Sequence, residues 1–546
     1  MRKTILIILA VICGIALHAQ DSTFNRIVTV ERDYQPDIEQ ATKIKLRPAV
    51  LKKEVEPNPV IYSTYSTPLS VEYNLHPLQA AKVSFVPQPI LNGVIEGAIG
   101  HRNSHLLFGY RINHKKKMSL DLYANHDAYW GKDALSTSKL GMQVNRHFSG
   151  SDLYFGVEGA NEYFSYYGRN FDGKIITTNT PILDQSLWNV NAKIGLRSTN
   201  DNAVQYHIQT GYNAFIVPNY TIEHQVRSFL DVAWTNDNHG AGINVFVQNS
   251  LRNDSTGWNR HALRVEPFYS FKNQHLRVHV GVNIDLNIGT GKQLITMENI
   301  AFAPSPNFKI EWNMMDNIFH LYADAKGSMG IGSLDEYLEY NRYLNIHEGI
   351  AFNQPRAYTP VDAQLGFKIR PIKTMLIDIY GGYAYMLNAC HMIAHVDASN
   401  QFAAQDFSLQ VANYQRWKVG ASLHYHYRDM IELNASGNYY IWKAADSVTV
   451  YDRPSWDAHA RLDVHIDSKW SVYSDNYFAG GYKVATTIGD KTLKPTISLN
   501  IGGQYSVNNW LHVYLQLNNY LNRKNDIFYG YQSQGCHFLL GVKYKF

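Results

Sequence analysis

The sequence predicts an all-β fold: a transmembrane antiparallel β-barrel of about 22 strands (20–22), with short periplasmic turns and longer extracellular loops. Three observations predict it. Past the first residues, no run approaches the roughly 18 apolar residues of a membrane-spanning helix. From about Gly93 onward, stretches of period-two alternation recur between connections that alternate in length. Finally, 13% of residues are aromatic and Tyr dominates them, while 18% are charged, against roughly 25% in soluble proteins. A barrel uses such aromatics as girdles at two membrane interfaces. The formal net charge of +4 is close to balance for 546 residues, which argues against a nucleic-acid partner.

In chain order, Arg2 and Lys3 precede an apolar run from Ile5 to Leu17, and Leu17-His18-Ala19 is followed by Gln20. This reads as a secretory signal peptide, 1–19, cleaved near Ala19, which places the mature chain in the envelope as an integral outer-membrane protein. Residues 20–91 form a second segment. Pro36, Pro48, Pro57, Pro59, Pro68, Pro77, Pro87 and Pro89 crowd it, and proline at that density interrupts helices and strand ladders alike. An irregular segment is expected, either periplasmic or partly filling the lumen. Residues 92–546 are expected to be the barrel.

The strand from Leu276 to Ile288 is the clearest. Leu276, Val278, Val280, Val282, Ile284, Leu286 and Ile288 share one face; Arg277, His279, Gly281, Asn283, Asp285 and Asn287 share the other. A slip of one residue would turn Arg277 and Asp285 into lipid, at roughly 2–4 kcal/mol for an Arg near the midplane. Arg461 and Asp463 lie likewise on the polar side of Ala458–Ile466. These four are candidate lumen-facing polar residues. Short polar turns are expected at Asn113–Lys117, Ser149–Ser151, Thr199–Asn202, Lys272-Asn273, Asp316-Asn317, Arg428-Asp429, Asp467–Lys469 and Asn508-Asn509. Longer connections are expected at about 168–186, 289–306, 331–360, 386–413, 443–455, 480–495 and 520–535. The first connection, Gly100–Asn103, is short where an outer loop should be.

Within the longest connection, Ser333-Leu334-Asp335-Glu336 has the form of a capping box. Tyr337, Tyr340 and Tyr343 follow at helical spacing, so a short surface helix is expected. Its Tyr side chains either stack on a ligand or pack against neighbouring loops. His424 and His426 share a face, but no carboxylate or cysteine joins them at a metal-site spacing. No cofactor is implied. The nucleophile elbow, the HExxH helix and the phosphate loop are missing, so an enzyme is not expected.

The chain ends GCHFLLGVKYKF. Phe538, Leu540, Val542, Tyr544 and Phe546 alternate with His537, Leu539, Gly541, Lys543 and Lys545. The stretch resembles the closing strand of an outer-membrane barrel, whose terminal aromatic residue is the signal read by the barrel-insertion machinery. Near the other end, Ile27, Val28, Thr29 and Val30 form a short β-prone strip, which resembles the TonB box of TonB-dependent receptors. In that family the strip pairs as a strand with the energy-coupling protein. The barrel's general character and strand number are similar to that family as well. The chain departs from it in lacking room for a full plug domain before the barrel. The resemblance implies receptor-like uptake or binding of a bulky solute across the outer membrane. The alternatives are a non-transporting barrel that scaffolds a surface complex, and a passive channel. The partners implied are outer-membrane lipid, the insertion machinery, and either TonB or a lipoprotein.

Overall fold

In a computed structural model the described residues are 92–546, apart from 115–116, 132, 167–183, 200–202, 253–258, 291–299, 316–317, 346–355, 397–405 and 446–448. The chain divides into two units, Met1–Val86 and Pro87–Phe546. The signal segment and the strip Ile27–Val30 lie outside the described residues.

The second unit is one closed antiparallel barrel. Strands β1 (Gly93–Gly100) to β19 (Trp470–Gly480) each pair with the next in sequence, and the ring is completed by β22 (Thr496–Ser506), β23 (Leu511–Asn518) and β26 (His537–Lys545). With two short strands, β20 (Lys483–Thr486) and β21 (Lys491–Thr492), set aside, the 24-stranded sheet leaves 22 barrel strands, while β24 (Asp526–Phe528) and β25 (Tyr531–Gln532) pair as a separate hairpin. Closure is between β1 and β26, in the register Val94↔Lys545 to Gly100↔Leu539. Phe546 and Gly93 extend that seam by exchanging backbone hydrogen bonds of 3.0 and 2.8 Å. Closure leaves no edge whose amide groups would face lipid.

The alternation expected for Leu276–Ile288 is present in β11 (Leu276–Thr290): Val280 and Val282 are exposed on the outside, while Asn283, Asp285 and Asn287 are buried. The tight first connection is also real. Only His101 and Arg102 join β1 to β2 (Asn103–His114). Gly100 permits it, because a Cβ there would lie 1.8 Å from the Phe538 carbonyl oxygen and 2.1 Å from Asn103 Oδ1.

Two features differ from the sequence expectation. The Tyr residues are not all girdle residues. Tyr123, Tyr154, Tyr322, Tyr473 and Tyr514 lie over Gly141, Gly195, Gly366, Gly502 and Gly541, each glycine being the direct register partner on the next strand. Their hydroxyls bond to polar neighbours: Tyr123 donates to Glu158 at 2.6 Å, and Tyr322 to Asp378 at 2.9 Å. A ring covering a bare glycine backbone fills the space a missing side chain leaves. Second, the connection expected at 386–413 is much shorter. β15 (Met375–Ala394) and β16 (Phe407–Tyr427) run 20 and 21 residues, about twice the 9–11 that cross a bilayer. The extra length pairs past a bulge between Met386 and Ala389, and β20 adds in parallel at Ile393↔Ala485 and Ala394↔Thr486.

Candidate binding site at the outer mouth

The long connections gather at one end of the barrel, the extracellular end in barrels of this kind. That end carries a hydrophobic core of its own. Phe164 of β5 (Ser151–Ser165), Leu187 of β6 (Asp184–Ser198), Phe215 and Val217 of β7 (Val204–Val217), and Phe407 and Leu409 of β16 are all buried in one cluster with Leu334, Leu338, Tyr343, Leu344 and Tyr531. β5 and β16 stand half a ring of 22 strands apart. A continuous cluster that contains both therefore spans the mouth from wall to wall.

The centre of this span is the connection between β13 (Phe319–Met329) and β14 (Tyr358–Ile372), which holds a short helix, α1 (Leu334–Tyr340). Tyr337 and Tyr343 are buried, and Tyr340 packs against the same cluster. Tyr343 stacks on Tyr531 with ring centroids 3.8 Å apart and meets Phe164 edge-on at 5.5 Å. The Tyr340 hydroxyl donates to the Cys390 carbonyl at 3.2 Å, and the Arg453 guanidinium lies over its ring. Burial raises the Tyr340 phenol to about 12, so it stays a neutral donor. In the structure the three Tyr pack against loops and strand ends.

The helix N-terminus is held differently from the expected capping box. Ser333 makes no hydrogen bond to the backbone of the first turn; its hydroxyl donates to Asp335 at 2.6 Å. Glu336 instead accepts the N–H groups of Ile331 and Gly332 at 3.2 and 2.8 Å. The orphan N–H of Leu334 donates to the Glu223 carboxylate, at 3.2 and 3.0 Å to its two oxygens. Glu223 sits on β8 (Thr221–Thr235), so the barrel wall supplies the cap, a buried carboxyl group accepting at the helix N-terminus. Two residues along, Gln225 Nε2 donates to Glu223 at 2.6 Å and to Asp335 at 2.7 Å. The Arg227 guanidinium donates to Asp335 at 2.6 Å. Glu223, Gln225 and Arg227 thus form a polar latch for α1. No single residue announces it in the sequence; the available signal was three long polar side chains at period two at one end of a strand.

A second polar anchor lies across the mouth. Asp452 accepts the Met392 N–H at 2.7 Å, and burial raises its carboxyl to about 6. Arg356, also at the mouth, is lowered to about 10 by burial and by its neighbour Arg260. Arg342, beyond α1, pairs with Glu162 of β5.

Below the mouth the inner wall is a ladder of paired charges. Arg277 lies 3.8 Å from Glu311, its register partner, and Asp285 lies 2.6 Å from Arg264, also its register partner. Arg461 bonds to Asp463 at 2.8 Å and to Asp475 at 3.3 Å. The structure does not bring these four together into one site; each belongs to a local cross-strand or same-strand pair. His424 bonds Asn434, and no group of three metal-binding side chains occurs among the described residues. On β26, Phe538, Leu540, Val542 and Tyr544 are exposed, as is Phe546 just past its end, while Lys543 pairs with Glu96 at 3.1 Å. Phe546 stacks on Tyr110 and on Tyr544 with centroids 5.6 and 5.7 Å apart.

The mouth also contains a cavity of about 590 Å³ beside α1, lined by Tyr343, Tyr477, Tyr482, Asn518, Asn519 and Phe528 among others.

Comparison with known proteins places this architecture. No family model and no curated protein matches the sequence. Among solved structures, the copper transporter OprC superposes with a TM-score of 0.66 at 11% identity, over 83% of this chain and 80% of that one. The ferric-catecholate import receptor Fiu from K12 E. coli gives 0.59 at 10% identity, over 83% and 82%. The siderophore receptor PirA from Pseudomonas aeruginosa gives 0.59 at 10% identity, over 83% and 80%. At these identities the likeness is one of fold: a closed 22-strand antiparallel barrel that matches the barrels of TonB-dependent receptors.

Proposed function

We propose that this 22-strand barrel is a receptor-like outer-membrane protein that binds a bulky solute at its outer mouth and takes it up. The observation that carries the proposal is the loop-built core across the mouth. A passive channel keeps its entrance open to diffusion, whereas here buried Phe, Leu and Tyr side chains join opposite walls. The neighbours in fold are a copper transporter and siderophore receptors, which accords with a receptor role. The protein would act without catalysis. Residues 1–19 would be removed near Ala19, and residues 20–91 would lead into the barrel, with Ile27–Val30 pairing with TonB.

The test is depletion of solutes from a complex medium, followed by mass spectrometry, in a strain lacking the gene and complemented with either the native chain or one lacking residues 24–31. The native chain should remove at least one bulky solute in an energy-dependent way, and the deletion should lose it. Equal depletion by both chains would remove energy coupling from the account. A lipoprotein co-purifying in stoichiometric amount, with no solute depleted, would favour a scaffold.

A further inference from the structure

Among the described barrel strands, β1 and β26 are the one ring pair that no connection joins. Every other strand is followed in the chain by its neighbour in the ring, so a turn or loop limits its register. The first and last strands meet only when the ring shuts. Their register then fixes the stagger of the whole ring, and with it strand tilt and lumen width. A slip of one residue would turn Lys543 and Lys545 to lipid, so facing alone forbids it. A slip of two keeps every face and has to be stopped in another way.

Glu96 of β1 is placed to stop one such slip. Its mostly buried carboxylate meets Lys543 Nζ, on its register partner, at 3.1 Å. The Tyr514 hydroxyl donates to it from β23, and His105 of β2 lies 3.9 Å away, tied in turn to Asp127 at 2.6 Å. A slip that set Gly541 opposite Glu96 would carry Lys543 on to Val94 and leave the carboxylate with no lysine across the seam. The opposite slip sets Lys545 opposite Glu96, so the ion pair does not oppose it. That slip instead takes Phe546 off Gly93. It gives up their backbone hydrogen bonds of 3.0 and 2.8 Å and the stacking of Phe546 on Tyr110. The Phe546 ring fits there because Gly93 has no side chain: a Cβ would lie 2.5 Å from it.

We infer that Glu96 and Phe546 are paired stops that lock the register of ring closure, each against a slip in one direction, and so set the bore of the barrel. Cysteine pairs across the seam read that register directly. Gly97 and Val542 are native partners, and a Cβ at Gly97 meets nothing within 4 Å. Gly97 would face Leu540 after the slip that strands Glu96, and Tyr544 after the opposite one.

The experiment uses the full chain with Cys390→Ser and Cys536→Ser, carrying Gly97→Cys together with Val542→Cys, Leu540→Cys or Tyr544→Cys. Outer-membrane fractions are oxidised, and cross-linking is scored from the non-reducing gel mobility of the heat-denatured chain. With both stops in place only the Val542 pair should cross-link. Glu96→Gln should raise the Leu540 pair at least tenfold over that background. Lys543→Met, which draws Lys545 to Glu96, should raise the Tyr544 pair instead, and so should Phe546→Ser in the fraction that assembles. Exchanging the charges, Glu96→Lys with Lys543→Glu, should restore the Val542 pair alone. Native pairing in every single variant, or the same slip in Glu96→Gln and Lys543→Met, would overturn the lock. Where a single variant assembles too poorly to be read, the charge exchange decides. Recovered yield with native pairing upholds the lock, and no recovery overturns it.

Discussion

Glu223 carries more of the mouth's organisation than any residue singled out in the sequence. Its carboxylate caps α1 and anchors Gln225, which reaches on to Asp335. Glu223→Ala would leave the Leu334 N–H without its acceptor in a buried site, at about 1–3 kcal/mol. The variant should become sensitive to limited proteolysis within 330–345 while the barrel stays folded; an unchanged digestion pattern would count against the latch. Asp452 gives the mouth a pH dependence. Its folded pKa of about 6 lies above the ordinary 3.8, so folding favours the acid form. Stability should be gained as pH falls from 7 through 6 toward 4, and lost on the way back. Hydrogen-exchange protection at Met392 and its neighbours, after division by the intrinsic exchange rate at each pH, should therefore be greater at pH 5 than at pH 7.5, and Asp452→Asn should shrink that difference. Neither residue was legible beforehand. Whether a carboxylate meets lumen water or a distant helix end depends on which loops fold over it, and period-two patterning carries no such information. The fate of Tyr337, Tyr340 and Tyr343 was undecided for the same reason.

Single strands were the most legible elements. In β11 a slip of one residue would place Arg277 and Asp285 in lipid, and the structure has Val280 and Val282 exposed with Asp285 buried beside Arg264. The distal halves of β15 and β16 read as a connection in sequence because their apolar residues, Met392, Ala394, Phe407 and Leu409, answer to the core of the mouth rather than to lipid. The abundance of Tyr points in sequence to interface girdles, yet a set of them lies over cross-strand glycines. Only strand register brings Tyr514 over Gly541. The last strand makes its own prediction. Phe546 closes the seam through its backbone bonds to Gly93 and its stacking on Tyr110 and Tyr544. Phe546→Ser should lower the yield of assembled barrel several-fold and leave precursor in the periplasm. Normal surface display of that variant would contradict a role for the terminal ring in insertion.

At the scale of the molecule, the strand number follows from counting alternating segments and connections, and the ring of 22 agrees with it. What alternation along a strand does not reveal is the core that bridges the mouth, because it is made by residues from walls half a ring apart. Whether the mouth conducts is the point on which receptor and channel part company. Conductance of the purified full chain in a planar lipid bilayer measures it most directly. No steady ion conductance is expected at rest, because the core from Phe164 to Phe407 spans the entrance. A persistent, ohmic conductance from the native chain would contradict it.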